Sequence, residues 1–235
     1  MKIQIHSIHH SLPEFLYVTK LIFKDWLGFE PEHIPSNIEH IELGIAGFDN
    51  RINLPDYFFK NADFNSKKDF YSSFFCNDVF QISGSLKKKL GISSIPIVFG
   101  KELPLKNKKT SLPIDILGVS FFLISRIEEY HSDKTDEHSR FIGKDSFMAK
   151  LNVIDLPIVD IYVEILWREL AMNFPGLKRK KHTYTKNISC DVDNPFLFHS
   201  SLFNLIKRSG GDLIFRKSLQ MSLNTLSGTF FKDKS

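Results

Sequence analysis

Two acids two residues apart, Asp191 and Asp193, stand at the end of the alternating run Ile188-Ser189-Cys190-Asp191-Val192-Asp193, just before Asn194-Pro195. Carboxylates at that spacing share one face of a strand and can divide labour, one holding a divalent metal and the other taking a proton from water. A metal lowers the pKa of its bound water from about 15.7 towards about 7, which allows an amide or ester to be hydrolysed without a nucleophilic side chain. Phosphoryl transfer, glycosyl transfer and simple turn capping by Asp and Asn use the same short pattern, so the pair alone does not choose among them.

Ionisable residues gather a second time at Ser125-Arg126-Ile127-Glu128-Glu129-Tyr130, followed by His131, Asp133, Asp136, Glu137, His138 and Arg140. This loop could hold a metal or a polar ligand. Equally, Arg126 and Arg140 could pair with Glu128, Glu129 or Asp136 and tie the loop down. The structural reading is preferred, because a metal needs fixed supporting hydrogen bonds around its ligands. His6, His9 and His10 cluster on paper, but strand geometry does not bring three such neighbours to one point, and they are read as surface or packed histidines.

The elements that must position these groups follow from periodicity. Met1 to Ile8 reads as a strand. A helix beginning near Pro13 carries the stripe Phe15, Leu16, Thr19, Ile22, Phe23, Trp26 and Leu27, with Gly28 placed to end it. Short strands are expected at Ile41 to Ile45, Val79 to Ile82 and Ile95 to Phe99. Leu112-Pro113-Ile114-Asp115 opens a helix that is apolar almost all round and therefore buried. Asp155 and Pro157 read as the cap and first turn of a helix through Ile158, Ile161, Tyr162, Ile165, Leu166 and Leu170, broken at Phe174-Pro175-Gly176. Lys178 to His182 reads as a solvated linker. The acidic strand comes next, then a helix over Ser200 to Arg208 closed by Gly210-Gly211, and a further one from Asp212 that fades by Ser227-Gly228.

Composition narrows the field. With 235 residues, 42% hydrophobic content and a net charge of +4, the chain can bury a normal core and shows no field directed at nucleic acid. The runs Lys87 to Lys89 and Lys106 to Lys109 lack interleaved aromatics and read as solvated faces. The two cysteines, Cys76 and Cys190, are far apart, which suits a reducing compartment and argues against structural zinc. No apolar run approaches the roughly 18 to 20 residues of a membrane span, and a cytoplasmic location is expected.

Ile188 to Pro195 resembles the first motif of the polysaccharide deacetylase family, carbohydrate esterases with a distorted (β/α) barrel. Leu112 to Asp115, Ser125 to Tyr130, Arg140-Phe141 and Pro157 to Asp160 look like the uncharacterised N-terminal domain that precedes the deacetylase domain in a bacterial subgroup. The resemblance implies Asp191 as general base, Asp193 as ligand of a divalent metal such as zinc, and an N-acetylated saccharide as substrate. The loop residues Arg126, Glu128, Glu129, Tyr130 and Arg140 would suit contact with that polar substrate. The family completes its site with an H-x-x-x-H motif and a later histidine, whereas His199 is the only histidine after Asp193.

The expectation is therefore an α/β chain: a mixed α/β N-terminal domain over 1–180, followed over 181–235 by the first strand and helices of an incomplete (β/α) deacetylase barrel. Such a chain would not hold the metal stably and would be inactive alone; a frameshift, a premature stop, a fragmentary gene model or a split gene, with the remaining deacetylase portion encoded separately, would each produce it. The alternatives are a non-catalytic glycan- or protein-binding module and the remnant of a disrupted gene.

Overall fold

Lys2–Ser7 (β1) alternates as its sequence requires, with Ile3, Ile5 and Ser7 turned into the core. In the computed structural model, which describes residues 1–64, 72, 75, 76, 78–100, 110–181, 183–191 and 202–223, this strand organises a five-stranded mixed sheet. Its order is β2 (Glu30–Pro35), β1, β3 (Ile41–Ile45), β4 (Ile52–Leu54) and β7 (Thr110–Ser111). β1 pairs with β2 in parallel and with β3 antiparallel, while β4 pairs antiparallel with β3 and in parallel with β7. A parallel pair needs a crossover, and the helix between β1 and β2 supplies it.

That crossover begins as α1 (Pro13–Thr19) and continues as a π-helical stretch, Lys20–Leu27. Phe15, Val18, Thr19, Ile22, Phe23 and Leu27 are buried along it. Gly28 ends it in the left-handed conformation at φ 84°, and a Cβ there would lie 2.8 Å from Cβ of Lys180. The switch from i→i+4 to wider hydrogen bonding was not readable from the apolar stripe, which tolerates either period over two turns.

α4 (Ile116–Ile124) is buried from Ile116 to Phe122, as an all-round apolar helix must be. Phe58 of α2 (Phe58–Asn61) packs its ring 5.9 Å from that of Phe121 and 6.2 Å from that of Phe122. α7 (Ile158–Asn173) buries Ile158, Ile161, Tyr162, Ile165, Leu166 and Leu170. Pro157 itself occupies its N-cap position and makes no side-chain cap, so Asp155, expected as the cap, stands exposed two residues too early. The smaller sheet pairs β5 (Val79–Gln81) with β6 (Ser94–Pro96) around α3 (Gly84–Leu90). Strand pairing there ends sooner than the run to Phe99 suggested, because Phe99 and Gly100 turn to isolated bridges with Phe75 and Ile114.

The chain divides into two compact units, Met1–His182 and Thr183–Ser235. In the second, residues 183–191 are irregular and not a strand, and Ile188 is 95% exposed. Alternation alone does not make a strand: the ladder needs a neighbour, and none pairs with this stretch among the described residues. Residues 192–201, including Asp193 and His199, lie outside the described part, as do Lys106 to Lys109. No closed barrel is formed among the described residues. α8 (Leu202–Ile214) runs through Gly210-Gly211 instead of stopping there, its last turn held by the Asp212–Arg216 ion pair at 3.0 Å. Residues 219–223 are helical again.

Candidate functional site

α4 ends where Arg126 takes a left-handed backbone, φ 57°, and the chain turns into the short α5 (Ile127–Tyr130). Arg126 then closes on its own helix: its Nε donates to Glu129 Oε1 at 2.6 Å and its second nitrogen to Glu129 Oε2. Glu128, on the other side of the turn, accepts the Phe147 N–H at 2.6 Å, at the start of α6 (Phe147–Lys150). A carboxylate there complements the exposed N–H groups of a helix start. A carbonyl can only accept, so the 2.9 Å contact of His131 Nδ1 with the Ile127 oxygen places the ring proton on Nδ1.

The loop beyond is tied by Asp136. Its Oδ1 accepts the backbone N–H groups of His138 and Arg140, both at 2.9 Å, and its Oδ2 accepts the Arg140 side chain at 2.9 and 3.0 Å. The Arg140 backbone N–H, with help from its guanidinium and the His138 N–H, holds the Asp136 carboxyl below the usual carboxylate range. These are two local pairs, Arg126 with Glu129 and Arg140 with Asp136.

Residues of this loop and of the segments around Phe75 and Asp145 line a cleft of about 320 Å³. Glu128, Asp133 and Asp145 line it as acids and Lys134 and Lys150 as bases, with His131 and Ser132 between them. Phe75 and Phe141 add apolar faces, and Phe75 is itself stacked on Phe147 at 3.4 Å between ring centroids. Of the loop residues singled out by sequence, Glu128, His131 and Asp133 line this cleft. Arg126, Glu129 and Arg140 are not among its lining residues, and Tyr130 stands exposed, edge-on to His131 at 5.1 Å. Lys150, Asp145 and Phe75 were missed, because they come from segments with no motif and meet the loop only through packing.

Asp115, read from the sequence as part of a helix opening, has partners the sequence did not show. It caps α4, accepting Gly118 N–H on Oδ1 and the N–H groups of Tyr57 and Phe58 on Oδ2, each at 2.9 Å. Burial first, and the nearby Asp56 carboxylate second, push its carboxyl up to about 7 against those three donors. Asp56 in turn faces His9 Nε2 at 2.7 Å and accepts Lys60 N–H at 3.2 Å. His6 pairs in register with Ile34 and Glu42 on the sheet, so the N-terminal histidines go separate ways.

Asp191 is exposed on the irregular stretch of the second unit. Among the described residues no group of three or more His, Cys, Asp or Glu side chains could hold a metal ion. One exposed carboxylate does not fit a divalent metal, which needs several ligands in fixed geometry.

A mixed sheet covered by helices, with a polar cleft on one loop-rich face, defines a small α/β module. Residues 2–175 match a family of unknown function, DUF7033, and the chain belongs to that family. No curated protein and no solved structure matches it. No helix among the described residues is long and apolar enough to cross a membrane.

Proposed function

We propose that the Met1–His182 unit is a saccharide-holding module serving a deacetylase of the polysaccharide deacetylase kind, and that these 235 residues do not catalyse deacetylation alone. The observation that carries the binding half is the cleft lined by Glu128, Asp133, Lys134, Asp145 and Lys150 with Phe75 and Phe141. Sugars present hydroxyls and amides that need both acceptors and donors, and flat C–H faces that need aromatic or apolar cover. Glu128, Asp133 and Asp145 accept, Lys134 and Lys150 donate, and Phe75 and Phe141 supply the apolar faces.

The deacetylase half rests on the motif from Ile188 to Pro195, with Asp191 in the place of the general base and Asp193 in that of a metal ligand. The sequence carries no H-x-x-x-H after it. Two measurements test the reading. Titration calorimetry with an N-acetylated oligosaccharide is expected to show binding that weakens in Asp133→Ala and Lys150→Ala variants. An acetate-release assay with added zinc or cobalt is expected to stay at background, and metal-dependent release would contradict it.

A further inference from the structure

Among the described residues of the second unit, the buried side chains are polar: Ser209, Asp212 and Ser222, with the hydroxyls of Ser209 and Ser222 2.7 Å apart. Large apolar side chains among the same residues face outward: Phe203 is 75% exposed, Ile206 69% and Phe215 86%, and Leu213, Ile214 and Leu219 are at least half exposed. At about 100° per residue, Phe203, Ile206, Leu213 and Ile214 fall on one side of α8. A contiguous apolar face of this kind marks a surface that something apolar covers.

Charge chooses the occupant. Over residues 202–223 the chain carries Lys207, Arg208, Arg216 and Lys217 against Asp212 alone, and Asp212 is buried and paired with Arg216. Exposed Lys207 borders the apolar face and exposed Lys217 follows its C-terminal end. A second copy of the chain would bring these like charges together, whereas an anionic lipid surface takes up both the apolar side chains and the cations. Phenylalanine and leucine on one side of a helix bordered by lysine are the features of a helix that lies in the membrane interface without crossing it.

We infer that residues 202–223 form a peripheral anchor for anionic lipid. The inference does not rest on the saccharide reading. The test is co-sedimentation of the full 235-residue chain with vesicles of phosphatidylcholine alone and of phosphatidylcholine mixed with phosphatidylglycerol. Binding is expected to the mixed vesicles, weakened by high salt. Phe203→Ser with Phe215→Ser should lower it at least tenfold. Lys207→Gln with Lys217→Asn should lower it by roughly thirtyfold, since each cation near an anionic surface contributes about a factor of five. All four positions are exposed, so the circular dichroism of the variants should match that of the parent. Equal binding to both vesicle types, or no binding to either, would overturn the assignment; no binding together with self-association by light scattering would make the face a contact between copies.

Discussion

Asp115 is the residue whose chemistry has the widest consequence for the first unit. It joins the start of α4 to Tyr57 and Phe58 through three backbone N–H groups, at a position with no solvent exposure. Its folded pKa of about 7 lies above the ordinary value of 3.8, so the native state binds the proton more tightly than the unfolded chain. The stability this contributes is fully present below about pH 4 and is lost as pH rises towards and through about 7. Chemical denaturation at a series of pH values should therefore show the parent losing stability between about pH 4 and 7 relative to Asp115→Asn, which cannot titrate. Parallel pH profiles for the two proteins would contradict the assignment. Glu128 has a more local part, and Glu128→Ala should cost about 1 to 3 kcal/mol through the orphaned Phe147 N–H.

Legibility at this scale followed the kind of interaction. Asp115 was visible as the residue opening a helix, because capping is local and short-range. Its contact with the Tyr57 and Phe58 amides, 58 and 57 residues away in the chain, was not. His9 was named only in a cluster with His6 and His10, while its true neighbour, Asp56, lies 47 residues on. Arg126 and Arg140 were expected to pair with loop acids, and each closes on a carboxylate three or four residues away.

Among the elements, close approach between α4 and α2 depends on Gly118. A Cβ there would lie 2.4 Å from both Asp115 Oδ2 and Phe58 Cβ. Gly118→Ala gains about 1 kcal/mol in helix propensity but must displace a cap and a buried ring, so a net loss of about 1 to 3 kcal/mol is expected from denaturant midpoints. α7 is tied to β6 and the segment after it by Tyr162, whose buried hydroxyl donates to Pro96 O at 2.5 Å and accepts Val98 N–H at 3.1 Å. Tyr162→Phe leaves both groups unsatisfied and should cost about 1 to 3 kcal/mol by thermal or chemical unfolding. The long helices and β1, β3 and β5 were legible because each carries its own apolar period. β2, written Glu30-Pro31-Glu32-His33-Ile34-Pro35, has no such period and is held by its register along β1. The run at 188–191 shows the converse: alternation is present, yet it stays irregular, and no strand pairs with it among the described residues.

On the scale of the whole molecule, the Met1–His182 unit has its own sheet, core and cleft, and residues 1–182 expressed alone should unfold in one cooperative transition. Membership of DUF7033 covers nearly all of this unit and assigns it no activity. The saccharide reading therefore depends on the cleft, and the cleft was only half legible. Glu128, His131 and Asp133 came from one conspicuous loop, whereas Phe75, Asp145 and Lys150 were brought to it by the packing of Phe147 against Phe75. The most direct measurement is calorimetric titration of the 235-residue chain with an N-acetylated oligosaccharide, repeated on the Asp133→Ala/Lys150→Ala double variant. Saturable binding by the parent, weakened at least tenfold in a double variant of unchanged melting temperature, is the predicted result; no binding by the parent, or equal binding by both proteins, would contradict a saccharide site in this cleft.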